Sequence, residues 1–261
     1  MPYFENEGVR IYYEIEGDGP DLILIHGFAS NIENNWKQNN WVKTLKDHYR
    51  LILIDNRGHG KSDKLKEASQ YGIKMVEDVI KLMDHLSIEK ANVFGYSMGS
   101  RITLNLVLRY PNRIKCAILG GYGLPSGKTN SHLMYQPIID ALLSESLDQV
   151  KNLIGKEFRR FAESTGADLK ALAAVMINYV ENPEVMLTSA KKMKKELKKI
   201  KIPILTVVGS NDILIENKTQ LADLIPKACH IQIQGRDHLT VVPDHRFHMF
   251  VKSFLNDINK L

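Results

Sequence analysis

The sequence predicts an α/β domain, a mostly parallel twisted sheet flanked by helices, with a helical insertion in its second half. Three observations predict it. From Leu22 to Leu119, short continuous apolar runs alternate with amphipathic helical patterns, the rhythm of strand–helix–strand units. From Leu124 to Lys201 only helical patterns are found. At Ile204 the alternation of strand and helix returns.

The opening stretch, Tyr3 to Glu16, alternates and is rich in Tyr and Ile, with Glu7-Gly8 as a turn. It reads as a β-hairpin. Leu22 to Ile25 and Leu51 to Ile54 are unbroken apolar runs, as expected of strands covered on both faces. Trp36 to His48, between them, reads as a helix. Ile73 to Leu86 carries apolar residues at Ile73, Val76, Val79, Ile80, Met83 and Leu86, a helical spacing. Ala91 to Phe94 is a buried strand, Met98 to Tyr110 a helix stopped by Pro111, and Ile114 to Leu119 a strand. Within the insertion, Leu143, Leu147, Val150, Ile154, Phe158 and Phe161 form one helical stripe. Leu169, Leu172, Met176 and Tyr179 form a second, and Met186, Ala190, Met193 and Leu197 a third. Ile204 to Val208 is a strand, Ile215 to Ile225 a helix and His230 to Ile233 the last strand. The final helix starts near Pro243, a residue suited to a first turn. This places a core in residues 1–123 and 202–261 and an inserted helical unit in residues 124–201.

The chain has 261 residues, enough for one substantial core. Its formal charge is +5, with a pI near 9.0, but the lysines are spread along the chain. The densest run, Lys191 to Lys201, reads as a solvated helix face, and no nucleic-acid motif accompanies the charge. Cys116 and Cys229 form no cluster with histidines or with each other, and each reads as a buried structural thiol. Met1 to Glu7 lacks the basic and apolar regions of a signal peptide. No apolar run reaches the roughly 18 residues of a membrane span. A cytoplasmic enzyme acting on a small molecule is expected, with no nucleic-acid or membrane partner. No Walker loop, no G-x-G-x-x-G after the first strand and no ligand-spaced His/Cys set is present, so no cofactor and no metal are expected. Oligomeric state is not encoded legibly.

Gly95-Tyr96-Ser97-Met98-Gly99 carries the chemistry. A G-x-S-x-G between a strand and a helix is the setting of a nucleophile elbow. The turn lifts the serine side chain clear, and only small residues fit two positions before and after it. A serine nucleophile needs a base, and the base an orienting carboxylate. Of the five histidines after Ser97, His238 lies in a loop directly after the last strand, where active residues of open α/β sheets gather. His132 falls in the insertion, His230 in a strand, and His245 and His248 in the final helix. Asp212, after the strand Ile204 to Val208, stands between Ser97 and His238; capping the following helix is its competing role. The loop after Ile114 to Leu119, Gly120-Gly121-Tyr122-Gly123, holds no carboxylate, and Asp237 is too close in sequence to reach the His238 ring. Met98 N–H, at a helix start, and Phe28 N–H, after Gly27, are the candidate oxyanion donors. Phe28, Tyr135, Phe158 and Tyr179 are the candidate substrate contacts, with Phe161 and Met176 nearby in the pattern. Packing of the insertion is the competing reading for the aromatic residues there.

His26-Gly27-Phe28, the run Asp55 to Ser62 (D-x-R-G-H-G-x-S), Gly95 to Gly99, Gly209-Ser210-Asn211-Asp212 and Gly235-Arg236-Asp237-His238 together resemble the successive blocks of the α/β-hydrolase superfamily. The resemblance implies that fold, a triad of Ser97, Asp212 and His238, and a helical cap made by the insertion. It also implies an architectural role for Asp55, Arg57 and His59. A serine at the elbow argues against the dehalogenase and epoxide-hydrolase branches, whose nucleophile is aspartate. The Asn-rich stretch Ala29 to Asn40 differs from the glycine-rich loop of the carbon–carbon hydrolases. Hydrolysis of a small carboxylic ester, thioester or lactone is the expected activity. A carbon–carbon hydrolase, a proline-iminopeptidase-like enzyme or a ligand receptor built on this fold are the alternatives.

Overall fold

The computed structural model describes residues 2–124, 131–182 and 190–260. Strands β1 (Tyr3–Asn6) and β2 (Val9–Glu16) form the antiparallel hairpin. Glu7 and Gly8 turn it with φ of 52° and 76°; two successive positive φ values match the twist of the flanking strands. Six further strands follow: β3 (Asp21–Ile25), β4 (Arg50–Ile54), β5 (Ala91–Tyr96), β6 (Ile114–Gly120), β7 (Ile204–Gly209) and β8 (Ala228–Ile233). The sheet order is β1-β2-β4-β3-β5-β6-β7-β8. β2 joins β4 antiparallel, and every pair beyond it is parallel. From β3 the chain adds β4 on one side and then β5 on the other. The loops after β3 and β5 therefore flank the point where strand order reverses, the place where such sheets form a crevice.

Both faces of the sheet are covered, which is why its central strands read as unbroken apolar runs. Helices α2 (Ile73–His85) and α3 (Met98–Arg109) cover one face. On the other, α1 (Trp41–Leu45) and α9 (His245–Asn259) enclose Trp36, Trp41, Phe94 and Phe247. The Trp41 ring lies 4.8 Å from Phe94 and 4.9 Å from Phe247.

Between β6 and β7 lie α4 (Ser131–Leu143), α5 (Leu153–Ser164), α6 (Leu169–Glu181) and α7 (Ala190–Leu197). Asn152 and Asp168 cap α5 and α6 by accepting from Gly155 N–H and Ala171 N–H, each at 2.9 Å, which satisfies otherwise orphaned donors. A Cβ on Gly155 would stand 2.3 Å from Pro137 O, so α4 and α5 approach too closely for any larger residue there. Ile138, Ile139, Leu172 and Met176 join the same apolar cluster as α2 and α3. The short α8 (Gln220–Leu224) precedes β8. No helix among the described residues is long and apolar enough to cross a membrane.

Several expectations are corrected. The helix over Trp36 to His48 is two pieces, a π-helical turn at Glu33–Lys37 and α1, separated by Asn40 at φ 61°. Asn39 contributes to the break by donating to the carbonyls of Asn34 and Asn35, a local competition with helix bonding typical of asparagine. The stripe from Leu143 to Phe161 crosses three elements, the end of α4, a 3₁₀ turn at Leu147–Gln149 and α5. Its periodicity survives the break, but Leu143 and Ile154 are exposed. The helix over Ile215 to Ile225 shrinks to α8, because Asn217 Oδ1 accepts from Thr219 N–H and Gln220 N–H just before it. The last helix starts two residues after Pro243, with Asp244 as its cap accepting from Arg246 N–H at 2.9 Å. Cys116 is buried, but Cys229 is exposed, because β8 is an edge strand with only partial cover. Met186 lies outside the described residues. Lys194, Lys195, Lys198, Lys199 and Lys201 are exposed, as a solvated face requires.

Candidate active site

Ser97 occupies the turn from β5 to α3 with φ 52° and ψ −111°, a costly conformation for a residue with a side chain. The surroundings enforce it. A Cβ on Gly95 would meet Gly99 O at 2.2 Å, and one on Gly99 would meet Ile25 O at 1.9 Å. Ser97 N–H donates to Gly120 O at 2.8 Å, and Ser100 Oγ lies 2.7 Å from Gly95 O and 2.8 Å from Gly120 O. The elbow is thereby pinned to β6.

His238 follows β8, and its two ring nitrogens face different partners. Nδ1 lies 2.7 Å from Asp212 Oδ2 and Nε2 2.9 Å from Ser97 Oγ. An ionised carboxylate only accepts, so Nδ1 carries the proton and Nε2 is left to accept from the serine hydroxyl. Asp212, in the loop after β7, is fully buried, and its Oδ1 accepts from Leu214 N–H at 3.0 Å. It caps no α-helix, which removes its competing role. The loops carrying Asp212 and His238 are fastened together. Asn211 N–H donates to Arg236 O at 2.9 Å, and a Cβ on Gly209 would stand 2.2 Å from that same carbonyl. Tyr96 braces His238 from the elbow, its hydroxyl donating to His238 O and its ring 5.4 Å from the imidazole. Burial holds that phenol well above its ordinary pKa. The Asp237 carboxylate is occupied by its own turn, accepting from Leu239 N–H, Thr240 N–H and Thr240 Oγ.

The loop after β3 passes directly against the serine: a Cβ on Gly27 would lie 3.4 Å from Ser97 Cβ. The N–H groups of Phe28 and Met98 donate to no acceptor among the described residues. His26 organises this loop, with Nδ1 2.8 Å from Gly27 O and Nε2 accepting from Asn56 N–H at 3.0 Å. Its ring lies 5.2 Å from that of His59. Burial pushes the two imidazoles down, to about 4 for His26 and about 3 for His59. The D-x-R-G-H-G-x-S block is a brace. Asp55 accepts from Ile32 N–H and Lys61 N–H at 2.8 and 2.7 Å. Arg57 pairs bidentately with Asp78, both contacts at 2.6 Å.

A family model described as the alpha/beta hydrolase fold matches residues 20–173. The chain belongs to the α/β-hydrolase family. A protein of Caulobacter sp. (strain K31) named as a carbamate hydrolase is 26% identical over 265 residues, spanning 94% of this chain and 96% of its own length. A 2-hydroxy-6-oxononadienedioate/2-hydroxy-6-oxononatrienedioate hydrolase of Comamonas testosteroni is 35% identical over 153 residues, 56% of this chain and 52% of the relative. Against that relative and several others, the match spans about a third to a half of their length. A crystal structure from a study of carboxylesterases of the thaumarchaeon Nitrososphaera gargenis superposes with a TM-score of 0.79, covering 99% of both chains at 21% identity. At that identity the likeness concerns the fold.

Of the aromatic candidates in this α/β-hydrolase, Phe28 and Phe158 face one another at 6.1 Å and Tyr135 and Tyr179 at 5.9 Å. Sequence reasoning passed over the residue between the two tyrosines. Arg101 is one helical turn beyond Ser97, its N–H donating to Ser97 O at 3.2 Å, and it is 6% exposed. A single charge in the otherwise apolar and polar-neutral start of α3 was the available signal. A separate cavity of about 230 Å³, lined by Tyr12, Glu14, Asp55, Lys61 and Thr165 among others, is lined by none of Ser97, Asp212 and His238.

Proposed function

We propose that this α/β-hydrolase cleaves a small carboxylic ester, or a thioester or lactone, through an acyl-enzyme on Ser97. The observation that carries the reading is the hydrogen-bonded path from Asp212 through His238 to Ser97. Ser97 Oγ attacks the carbonyl carbon while His238 Nε2 takes its proton. Asp212 holds the imidazole and stabilises its cation. The tetrahedral intermediate collapses, and His238 returns the proton to the departing alcohol or thiol. Water, deprotonated by His238, then adds to the acyl carbon, and Ser97 leaves with the proton as the acid is released. Phe28 N–H and Met98 N–H hold the oxyanion, each contributing roughly 3 kcal/mol to transition-state stabilisation. Helices α4 to α7 form a cap over this site.

The test is hydrolysis of p-nitrophenyl esters from acetate to octanoate by the wild type and Ser97→Ala. At least about a thousandfold loss of kcat is expected in the variant. Full turnover in Ser97→Ala would overturn the assignment. The similarity to a ring-cleavage-product hydrolase over 153 residues supports a second reading, carbon–carbon hydrolysis by the same residues. Wild type that turns over no ester yet reacts at Ser97 with a phosphonate would favour it; no reaction at Ser97 would favour a ligand receptor.

A further inference from the structure

Arg101 lies under α4 and α6. Its Nη2 donates to Tyr135 Oη at 3.0 Å. Its guanidinium carbon sits 5.9 Å from the Tyr135 ring centre and 4.4 Å from that of Tyr179, and Tyr122, after β6, lies against the same group. No carboxylate among the described residues stands within ion-pair distance of it. The tyrosines supply ring faces and two hydroxyl acceptors, Tyr135 and Tyr122, but no negative charge, since burial raises the Tyr122 and Tyr179 phenols, the latter to about 12. Tyr179 Oη is buried without a hydrogen-bond partner.

A guanidinium withdrawn from water is normally kept by a carboxylate. Ring faces and two hydroxyls compensate in part, leaving a positive charge beside the Tyr179 hydroxyl. Both lie at the carboxyl end of the sheet. α3 begins at Met98 with Ser97 as its cap, and Arg101 N–H donates to Ser97 O, so the two residues stand one helical turn apart, their Cβ atoms about 6 Å from each other. A fork of planar donors suits a carboxylate.

We propose that Arg101 binds a carboxylate on the substrate, so that the compound cleaved at Ser97 is an acidic one, with an anionic group a few bonds from the reacting carbonyl. Tyr135 orients the fork, and Tyr179 Oη donates the second hydrogen bond to the same carboxylate. The inference rests on the Ser97 hydrolase reading for its reaction and on the Arg101 cluster for its specificity.

The test compares the p-nitrophenyl monoester of glutaric acid with p-nitrophenyl valerate, of similar length and uncharged, as kcat/KM in wild type, Arg101→Met and Arg101→Lys. Wild type is expected to prefer the anionic ester at least about tenfold. Arg101→Met should lower the ratio of anionic to neutral kcat/KM by about thirtyfold or more, and Arg101→Lys should restore part of it. Using the ratio removes any general loss from impaired folding. A wild type indifferent to the charge, or a ratio unchanged by Arg101→Met, would overturn the proposal. Calorimetric titration of Ser97→Ala and of Ser97→Ala/Arg101→Met with glutarate separates this from failure of the hydrolase reading. Binding that weakens about tenfold or more without Arg101 supports the carboxylate site even if no ester is turned over, and binding independent of Arg101 refutes it.

Discussion

Arg57 and Arg101 are both buried guanidiniums, 0% and 6% exposed, and they are satisfied in opposite ways. Arg57 is neutralised. Asp78 grips it bidentately, Gln70 O accepts from its Nη1 at 2.7 Å, and Asn6 donates to the same Asp78 at 2.8 Å. Nothing about that site calls for a further ligand; it ties the turn after β4 to α2. Arg101 is surrounded by rings and hydroxyls, with no carboxylate partner among the described residues, one helical turn from Ser97. A paired buried charge fixes architecture, whereas the arginine without a carboxylate partner is the one proposed above to hold a substrate.

Three measurements break or sharpen that contrast. Asp78→Ala should have the largest effect, a loss of about 3–5 kcal/mol in urea unfolding, because it leaves the Arg57 charge buried without its partner. A loss below about 1 kcal/mol would mean that the pair is not the brace described. Acidification comes second. The unfolded chain takes up protons on His26 and His59 near pH 6.5, but the folded protein takes them up only near pH 4 and pH 3. The unfolded state therefore binds more protons across that interval, and stability should fall as pH drops from 6.5 to 4, by up to about 1.4 kcal/mol per pH unit for each ring. Urea midpoints at pH 7 and pH 5 check it; equal midpoints would show that neither ring is held neutral by burial. The smallest effect is expected for Arg101→Met. The Tyr135 and Tyr122 hydroxyls lose a partner and no carboxylate is left unpaired, so stability should stay within about 2.5 kcal/mol of wild type. A loss as large as that of Asp78→Ala would make Arg101 a structural residue and erase the contrast.

Much of the site was legible because its requirements are local. Gly95 and Gly99 were readable around Ser97, since the elbow tolerates no Cβ at either position, and Asp212 and His238 each follow a strand in the expected order. Gly209 was not readable in the same way. Its need for smallness arises from Arg236 O, a carbonyl from another loop that reaches it only when β7 and β8 pair. Asp78 was similarly hidden: on an apolar helix face a lone carboxylate carries no mark of the guanidinium it will meet. The insertion shows where periodicity runs out. The stripe from Leu143 to Phe161 keeps its spacing across a 3₁₀ turn, because apolar spacing records which residues face inward and not whether the backbone between them is continuous.

What the sequence by itself determined is the alternation of strands and helices, the place of the helical insertion, the strained serine and the order of the three residues aligned with it. These depend on periodicity, on glycine sterics and on turns within a few residues. What only the tertiary structure decided is which charges are neutralised. Arg57 and Asp78 are 21 residues apart and meet. Arg101 meets Tyr135 and Tyr179 from helices folded back over α3, and no carboxylate among the described residues accompanies them. A charge in a sequence has no environment; burial and partners exist only once distant segments pack, and those two quantities separate a structural arginine from one available to a substrate.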